Sequence, residues 1–358
     1  MKKIIVGMSG GVDSSVTAWI LKKKYRVEGL FMKNWEEDDK KNFCNSKKDL
    51  EDTELVCKHI GIILHKINFS YEYWNEVFKI FIQEHKKSRT PNPDILCNQK
   101  IKFKYFLEYA IQKLGADYIA TGHYVRKKYY KKKFHILKGV DKNKDQSYFL
   151  HKLNSYQIKK SIFPLGSMLK TQVRKIAYLA KIPVAKKKDS VGICFIGPKK
   201  IKNFLNRYIH SKPGKIITTN GKCVGNHHGL IHYTIGQRTG LGIGGIKNFS
   251  NNPWYVVKKN ISKNLIIVSQ GYKNSFLLSK GIIIKKIFFV KKKCFPLICK
   301  IQTRYRQKET ICIIYKKIKK FKVIFAKPIL SVTPGQSAVF YIGDICLGGG
   351  IIYKIIYN

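Results

Sequence analysis

Lys2-Lys3-Ile4-Ile5-Val6-Gly7-Met8-Ser9-Gly10-Gly11-Val12-Asp13-Ser14 is the stretch on which the fold turns. Its first half is a short apolar run of the kind that makes a buried strand, and Gly7, Gly10 and Gly11 punctuate its end. From Ser14 to Lys24 the apolar residues Val16, Ala18, Ile20 and Leu21 follow a helical pattern. Strand, glycine turn and helix in that order make a βα unit. The same alternation continues outward. Val27 to Met32, Ile62 to Ile67 and Tyr118 to Thr121 read as strands, and 49–59, 73–87 and 101–114 as helices between them. The pattern predicts an α/β fold with a parallel sheet covered by helices and ligands at the carboxyl ends of its strands.

After about residue 205 the character changes. Pro213-Gly214, Asn220-Gly221 and the glycines between 236 and 245 separate short strand-like runs, and six β-branched and aromatic runs follow between 281 and 356 without a helical pattern. The expected division is an α/β domain over 1–205, a small β-rich central domain over 206–272 and a β-barrel over 273–358.

The 358 residues are 44% hydrophobic and 13% aromatic, which excludes a disordered chain. No apolar run reaches the ~18 residues of a membrane span, and the opening apolar run is too short for a signal peptide. A soluble, cytoplasmic protein is expected, with no membrane partner and a monomer as the working state. The nine cysteines are scattered, so neither a disulfide framework nor a zinc site fits, and no metal ligand set is assigned. Any cysteine that matters does so as a thiol.

Lys and Arg number 70 against 21 acidic residues, a formal charge of +49 that suits a polyphosphate partner such as nucleic acid. Beyond Asp189 the imbalance is 30 basic residues to 2 acidic ones. Only 8 of the 70 are Arg, the side chain suited to bidentate phosphate contacts, so the sign of the charge carries more meaning than its size.

Ser9-Gly10-Gly11-Val12-Asp13-Ser14, between a strand and a helix, reads as an anion cradle: small residues let backbone N–H groups approach a polyphosphate at the positive helix end. Asp13 is placed to orient the loop or a magnesium ion. A tight turn that uses glycine for sterics alone is the plainer alternative. The Gly-Lys-Ser/Thr of a Walker loop is absent, so transfer of a γ-phosphate is not indicated. Farther on, Thr90-Pro91-Asn92-Pro93-Asp94-Ile95-Leu96-Cys97-Asn98 sets two prolines before a helical pattern. Asp94 is expected as the N-cap, with Cys97 in the first helical turn; the helix dipole, Lys100 and Lys102 would then favour its thiolate. A second cysteine, Cys194, lies between Gly192 and Gly197.

Ser-Gly-Gly-x-Asp-Ser after a first strand resembles the signature of the PP-loop ATP pyrophosphatases, which split ATP between its α and β phosphates. With the Cys97 and Cys194 segments, Ala120-Thr121-Gly122-His123-Tyr124, Lys144-Asp145-Gln146-Ser147, Thr303-Arg304-Tyr305-Arg306 and Thr333-Pro334-Gly335-Gln336-Ser337, the chain is similar to one family over nearly its whole length, the tRNA-specific 2-thiouridylases. The resemblance implies a PP-loop domain of the adenine nucleotide alpha hydrolase type, and sulfur transfer to the wobble uridine of tRNA after ATP has adenylated its C2 oxygen. It implies ATP contacts from Gly7, Met8, Ser9, Gly10, Gly11, Val12, Asp13, Ser14, Met32 and Gly122. Asn92, Pro93 and Asp94 would surround the target base, and His123, Lys144, Asp145, Gln146, Arg304, Tyr305 and Gln336 would contact tRNA. Cys97 would be the nucleophile, Cys194 the persulfide carrier and Asp94 a candidate for proton handling. Magnesium would accompany ATP, and a sulfur-relay protein linked to a cysteine desulfurase would supply the sulfur. Arg304 beside Tyr305 also stands without the resemblance, since a guanidinium next to an aromatic ring suits an unstacked base.

Overall fold

The computed structural model describes residues 1–36, 45–189, 201–246, 249–272 and 274–357. Strand β1 (Lys3–Met8) leads into helix α1 (Val12–Lys22), followed by β2 (Arg26–Lys33), α2 (Asn45–Ile60) and β3 (Leu64–Asn68). A helical run comes next as α3 (Ser70–Tyr73), a π-helical turn (Trp74–Phe78) and α4 (Lys79–Lys86). A second runs through α5 (Pro93–Leu96), a π-helical stretch (Cys97–Tyr105) and α6 (Phe106–Gln112). Then come β4 (Tyr118–Ala120), the hairpin β5 (Val125–Tyr130) and β6 (Lys133–Lys138), α7 (Ser155–Lys159), β7 (Ser161–Ile162) and α8 (Lys170–Leu179). The chain divides into two compact units, the first made of 1–79, 93–198 and 342–348, the second of 80–92, 199–341 and 349–358.

In the first unit the five strands lie in the order β3-β2-β1-β4-β7, all parallel. Ile4, Ile5 and Val6 on β1 are fully buried because helices cover both faces, which is why this strand reads as an unbroken apolar run rather than an alternation. From β1 the chain moves one way to β2 and β3, then returns past β1 to β4. The topological switch point, where open α/β sheets bind their ligands, therefore falls between the carboxyl ends of β1 and β4.

The second unit holds α9 (Ile201–Leu205) and two β-structures. β8 (Gly214–Thr218), β9 (Cys223–His227), β10 (Trp254–Asn260) and β11 (Leu265–Gln270) form a sheet in the order β10-β11-β8-β9. Its core gathers Ile216, Tyr233, Val256, Ile266 and Val268. Next are β12 (Leu278–Ile284), the short β13 (Phe288–Phe289), β14 (Leu297–Gln302), β15 (Thr310–Lys317), β16 (Lys320–Leu330), β17 (Ser337–Ile342) and β18 (Ile345–Tyr357). Six of them, β12-β16-β15-β14-β17-β18, close into an antiparallel barrel because β18 pairs back onto β12. Closure removes the open edges that a lone antiparallel sheet would expose.

This unit also buries a histidine that stays neutral. Burial, helped by the Lys259 ammonium, pushes the His85 imidazole down to about 4, and among the described residues its Nδ1 has no hydrogen-bond partner. In an unfolded chain the same ring titrates near its ordinary value, about 6.5. Its contribution to stability is therefore complete above that pH and is lost as pH falls toward 4. Between pH 7 and pH 5 the unit should lose about 2 kcal/mol from this residue alone. Urea unfolding at the two pH values checks it: His85→Gln should flatten the dependence, and an unchanged slope in that variant would exclude His85 as its source.

Candidate active site

The loop after β1 is shaped by its glycines and closed by its serines. Gly10 has φ +65°, and a Cβ there would stand 2.4 Å from the Asp49 carbonyl oxygen on α2, so any other residue collides with backbone. Gly11 is extended, at φ −105°, and a Cβ on it would meet only Ser9 Oγ at 3.5 Å. The Ser14 and Ser15 hydroxyls both donate to the Gly11 carbonyl, at 3.1 and 2.8 Å, and the Ser9 backbone N–H donates to Ser14 Oγ at 3.3 Å. These bonds fix the turn at the start of α1, whose first-turn N–H groups have no partner within the helix and attract an anion.

One of the other expected nucleotide contacts, Gly122, is packed against this turn. A Cβ at Gly122, just past β4, would lie 2.9 Å from the Asp13 carbonyl carbon and 3.0 Å from the Ser14 nitrogen, so the switch point is closed glycine against loop. Gly7 admits the Phe106 ring at 3.1 Å from its ideal Cβ position and the Met32 methyl at 3.6 Å. Met8 and Val12, by contrast, are part of the core beneath.

Charge is concentrated at the loop. Asp13 Oδ1 accepts the Tyr124 hydroxyl at 2.7 Å and the Lys170 ammonium at 2.7 Å. Lys170 also meets Asp189 at 2.8 Å, and Asp189 in turn receives Lys144 at 2.6 Å and Arg174 at 2.8 Å. Burial opposes ionisation of Asp189, but its cationic neighbours prevail and hold its carboxyl down at about 2. Lys187 donates to the Gly10 carbonyl at 3.0 Å, to Asp49 at 2.7 Å and to Asp52 at 2.6 Å, tying the turn to α2. Lys170 and Lys187 escape a motif reading, and Tyr124, though inside the Ala120–Tyr124 motif, is given no role by it. Asp13 and Lys170 are 157 residues apart, and nothing local distinguishes either lysine among so many.

The cysteine segment differs from expectation. The helix begins at Pro93, whose fixed φ suits a first helical position, so Asp94 lies within the first turn rather than capping it. Burial raises the Asp94 carboxyl above its ordinary value, and Lys102 partly offsets this. Cys97 falls a turn deeper than the sequence suggested, opening the π-helical stretch, a local widening found often at functional sites. Its side chain is buried, at 3% exposure. Lys100, expected to favour the Cys97 thiolate, is engaged with Glu76 at 2.8 Å. Cys194 lies outside the described residues.

His123 is buried against Phe103, bonded to the Thr121 hydroxyl at 2.9 Å, and burial keeps its ring neutral. Asp145 accepts from the backbone of Gly139 and Ser147 and from the Ser147 hydroxyl, and Gln146 accepts from the Tyr124 backbone at 3.0 Å. Each therefore has a structural task within the first unit, whatever else it touches. Pro93 belongs to the same unit and Asn92 to the second.

In the second unit, Arg304 and Tyr305 sit on the turn between β14 and β15. Gln307 closes that turn by accepting from the Thr303 hydroxyl at 2.7 Å, and Arg304 is exposed. Arg306, at φ +63°, lays its guanidinium 5.2 Å from the Tyr305 ring, a second cation on the same turn. Gln336 Nε2 donates to the Thr90 carbonyl at 2.7 Å, joining the 333–337 turn to the segment before the prolines.

A parallel sheet that runs into a glycine turn at its switch point, with a carboxylate and paired lysines on that turn, defines a nucleotide-binding α/β domain. Family profiles match the chain in the same order as its architecture: a tRNA methyl transferase HUP domain over residues 2–198, a tRNA methyl transferase PRC-barrel domain over 202–270 and an aminomethyltransferase beta-barrel domain over 279–352. The chain is 60% identical over 355 residues to the tRNA-specific 2-thiouridylase MnmA of Buchnera aphidicola subsp. Acyrthosiphon pisum, covering 98% of this chain and 96% of that protein. It is 55% identical over 355 residues to the protein of that name from Salmonella arizonae, with the same coverage. The chain belongs to the tRNA-specific 2-thiouridylase family.

Proposed function

We propose that this protein is an ATP-dependent tRNA-uridine 2-sulfurtransferase acting on the wobble uridine. The observation that carries the reading is the Ser9–Ser14 turn, built at the switch point of a chain that matches named 2-thiouridylases over 98% of its length. The C2 oxygen of uridine is a poor leaving group. It attacks the α-phosphorus of ATP, pyrophosphate departs, and the oxygen becomes part of a good leaving group, AMP. The α1 N-terminus and the loop N–H groups stabilise charge developing on the phosphates.

A persulfide on Cys194, received from a sulfur-relay protein, supplies the sulfur. In one route its terminal sulfur attacks C2 and expels AMP; the Cys97 thiolate then attacks the Cys194 Sγ, releasing the thiocarbonyl and leaving a Cys97–Cys194 disulfide. In the other, Cys97 attacks the Cys194 Sγ first, and the hydrosulfide set free attacks C2. A thiol reductant resets the disulfide in both. Asp94, whose carboxyl is held above its usual range, is placed three residues before Cys97 to exchange a proton in this sequence.

Among the described residues no cluster of three or more His, Cys, Asp or Glu forms a metal cage, and Asp13 is the carboxylate on the loop. That donor set suits magnesium carried in with ATP and held mostly by phosphate and water. When bound, it neutralises charge on the leaving pyrophosphate. Asn92, Pro93 and Asp94 enclose the base; Arg304, Tyr305 and Arg306 take the anticodon arm, and the lysine-rich second half holds the backbone. No described helix is long and apolar enough to cross a membrane.

Incubating unmodified tRNA with enzyme, magnesium, ATP and a sulfide source tests this. The expected outcome is an oxygen-to-sulfur exchange at the wobble uridine with one AMP released per thiouridine. Formation of ADP, or unchanged tRNA alongside ATP hydrolysis, would reject it.

A further inference from the structure

The nucleotide turn has no lysine of its own, unlike a Walker loop, yet two lysines reach it from more than 150 residues away. They are not equivalent. The Lys187 ammonium has three donors and three acceptors, the Gly10 carbonyl, Asp49 and Asp52, so it is saturated and acts by holding the turn. Among the described residues the Lys170 ammonium has two acceptors, Asp13 and Asp189, at 2.7 and 2.8 Å. Its side chain is only 11% exposed, which sets an ammonium where a bound polyphosphate would be shielded from water.

The ion pairs around it are shared unequally, although Asp141 beside them brings the local charge level. Three cations, Lys170, Lys144 and Arg174, share two carboxylates, Asp13 and Asp189. The nearby Asp141 accepts from the backbone N–H groups of Asn143 and Lys170. If the Lys170 ammonium turned from Asp189 to a phosphate oxygen, Asp189 would keep Lys144 and Arg174 and would not be left as a bare buried charge, so the exchange has a low cost. Lys170 would keep Asp13, which in turn keeps the Tyr124 hydroxyl.

We propose that Lys170 is a direct ligand of the nucleotide's β- and γ-phosphates, exchanging Asp189 for them, and so supplies from α8 the cation that the turn lacks. The assignment rests on the nucleotide use proposed above but not on the sulfur chemistry. Calorimetric titration of the whole protein with ATP, AMP and adenosine, magnesium present, tests it apart from turnover. Lys170→Met should weaken ATP by about tenfold or more and change AMP and adenosine less than about twofold; Lys170→Arg should recover most of the loss. Asp189→Asn should leave ATP affinity equal or improved, because it removes the competing carboxylate, whereas a purely structural network loses affinity in both variants. ATP binding by Lys170→Met equal to wild type, a parallel loss of adenosine, or a loss in Asp189→Asn matching that in Lys170→Met would each overturn the proposal. If wild-type protein bound no ATP, the nucleotide reading itself would fall.

Discussion

Cys97→Ser should stop thiolation, lowering 2-thiouridine formation by about three orders of magnitude or more, while a single turnover of pyrophosphate release persists. Adenylation uses no thiol, so it survives the change. Sulfur transfer does not, because a serine hydroxyl neither ionises at neutral pH nor displaces sulfur from an S–S bond. Because Cys97 is buried, Cys97→Ala, which places no hydroxyl there, serves as the control for any loss of stability in Cys97→Ser. The variant also separates the two routes. Direct attack by the persulfide predicts an enzyme–tRNA adduct through Cys194 that accumulates and is released by reductant. Prior release of hydrosulfide predicts a Cys194 persulfide that accumulates with no adduct. Cys194→Ser should abolish both species. Thiolation by Cys97→Ser at even a tenth of the normal rate would remove Cys97 from the mechanism.

Gly10→Ala should be as damaging for a different reason. A methyl group at φ +65° costs roughly 1 to 2 kcal/mol in itself. Here it must also enter the Asp49 backbone at 2.4 Å, on a helix pinned to the same turn by Lys187. The turn must open, and ATP affinity should fall by about two orders of magnitude. Gly11→Ala is the informative comparison. It fits its φ and meets nothing closer than Ser9 Oγ at 3.5 Å, so it should leave the thermal midpoint nearly unchanged. If phosphates lie against this backbone, Gly11→Ala still weakens ATP; a variant with wild-type affinity would move the phosphates elsewhere. Gly10→Ala binding ATP normally would contradict the placement of the cradle.

How much of this could be read from the chain depended on the range of each interaction. The β1 turn, the parallel sheet and the six barrel strands are written in local periodicity and glycine punctuation, and they appear close to where the patterns put them. The β5–β6 hairpin was hidden. Its turn is Lys131-Lys132, both with positive φ, where asparagine and glycine usually signal such a turn, and lysines mask the alternation of its strands. The helix before Cys97 was misplaced because Asp94 is a good cap by composition, while Pro93 is a better first helical residue. The loop's own residues were legible, but its partners were not. Lys170 and Lys187 reach Asp13, Asp49 and Asp52 through ion pairs that the fold brings together across more than 130 residues, and no local pattern records them.

In the adenylation scheme the uridine C2 oxygen leaves as part of AMP. That transfer is tested most directly with tRNA carrying oxygen-18 at C2 of the wobble uridine, followed by mass analysis of the nucleotide product. One labelled oxygen should appear in the phosphate of AMP for each thiouridine formed. Unlabelled AMP with the heavy oxygen found in water, or label in inorganic phosphate beside ADP, would contradict it.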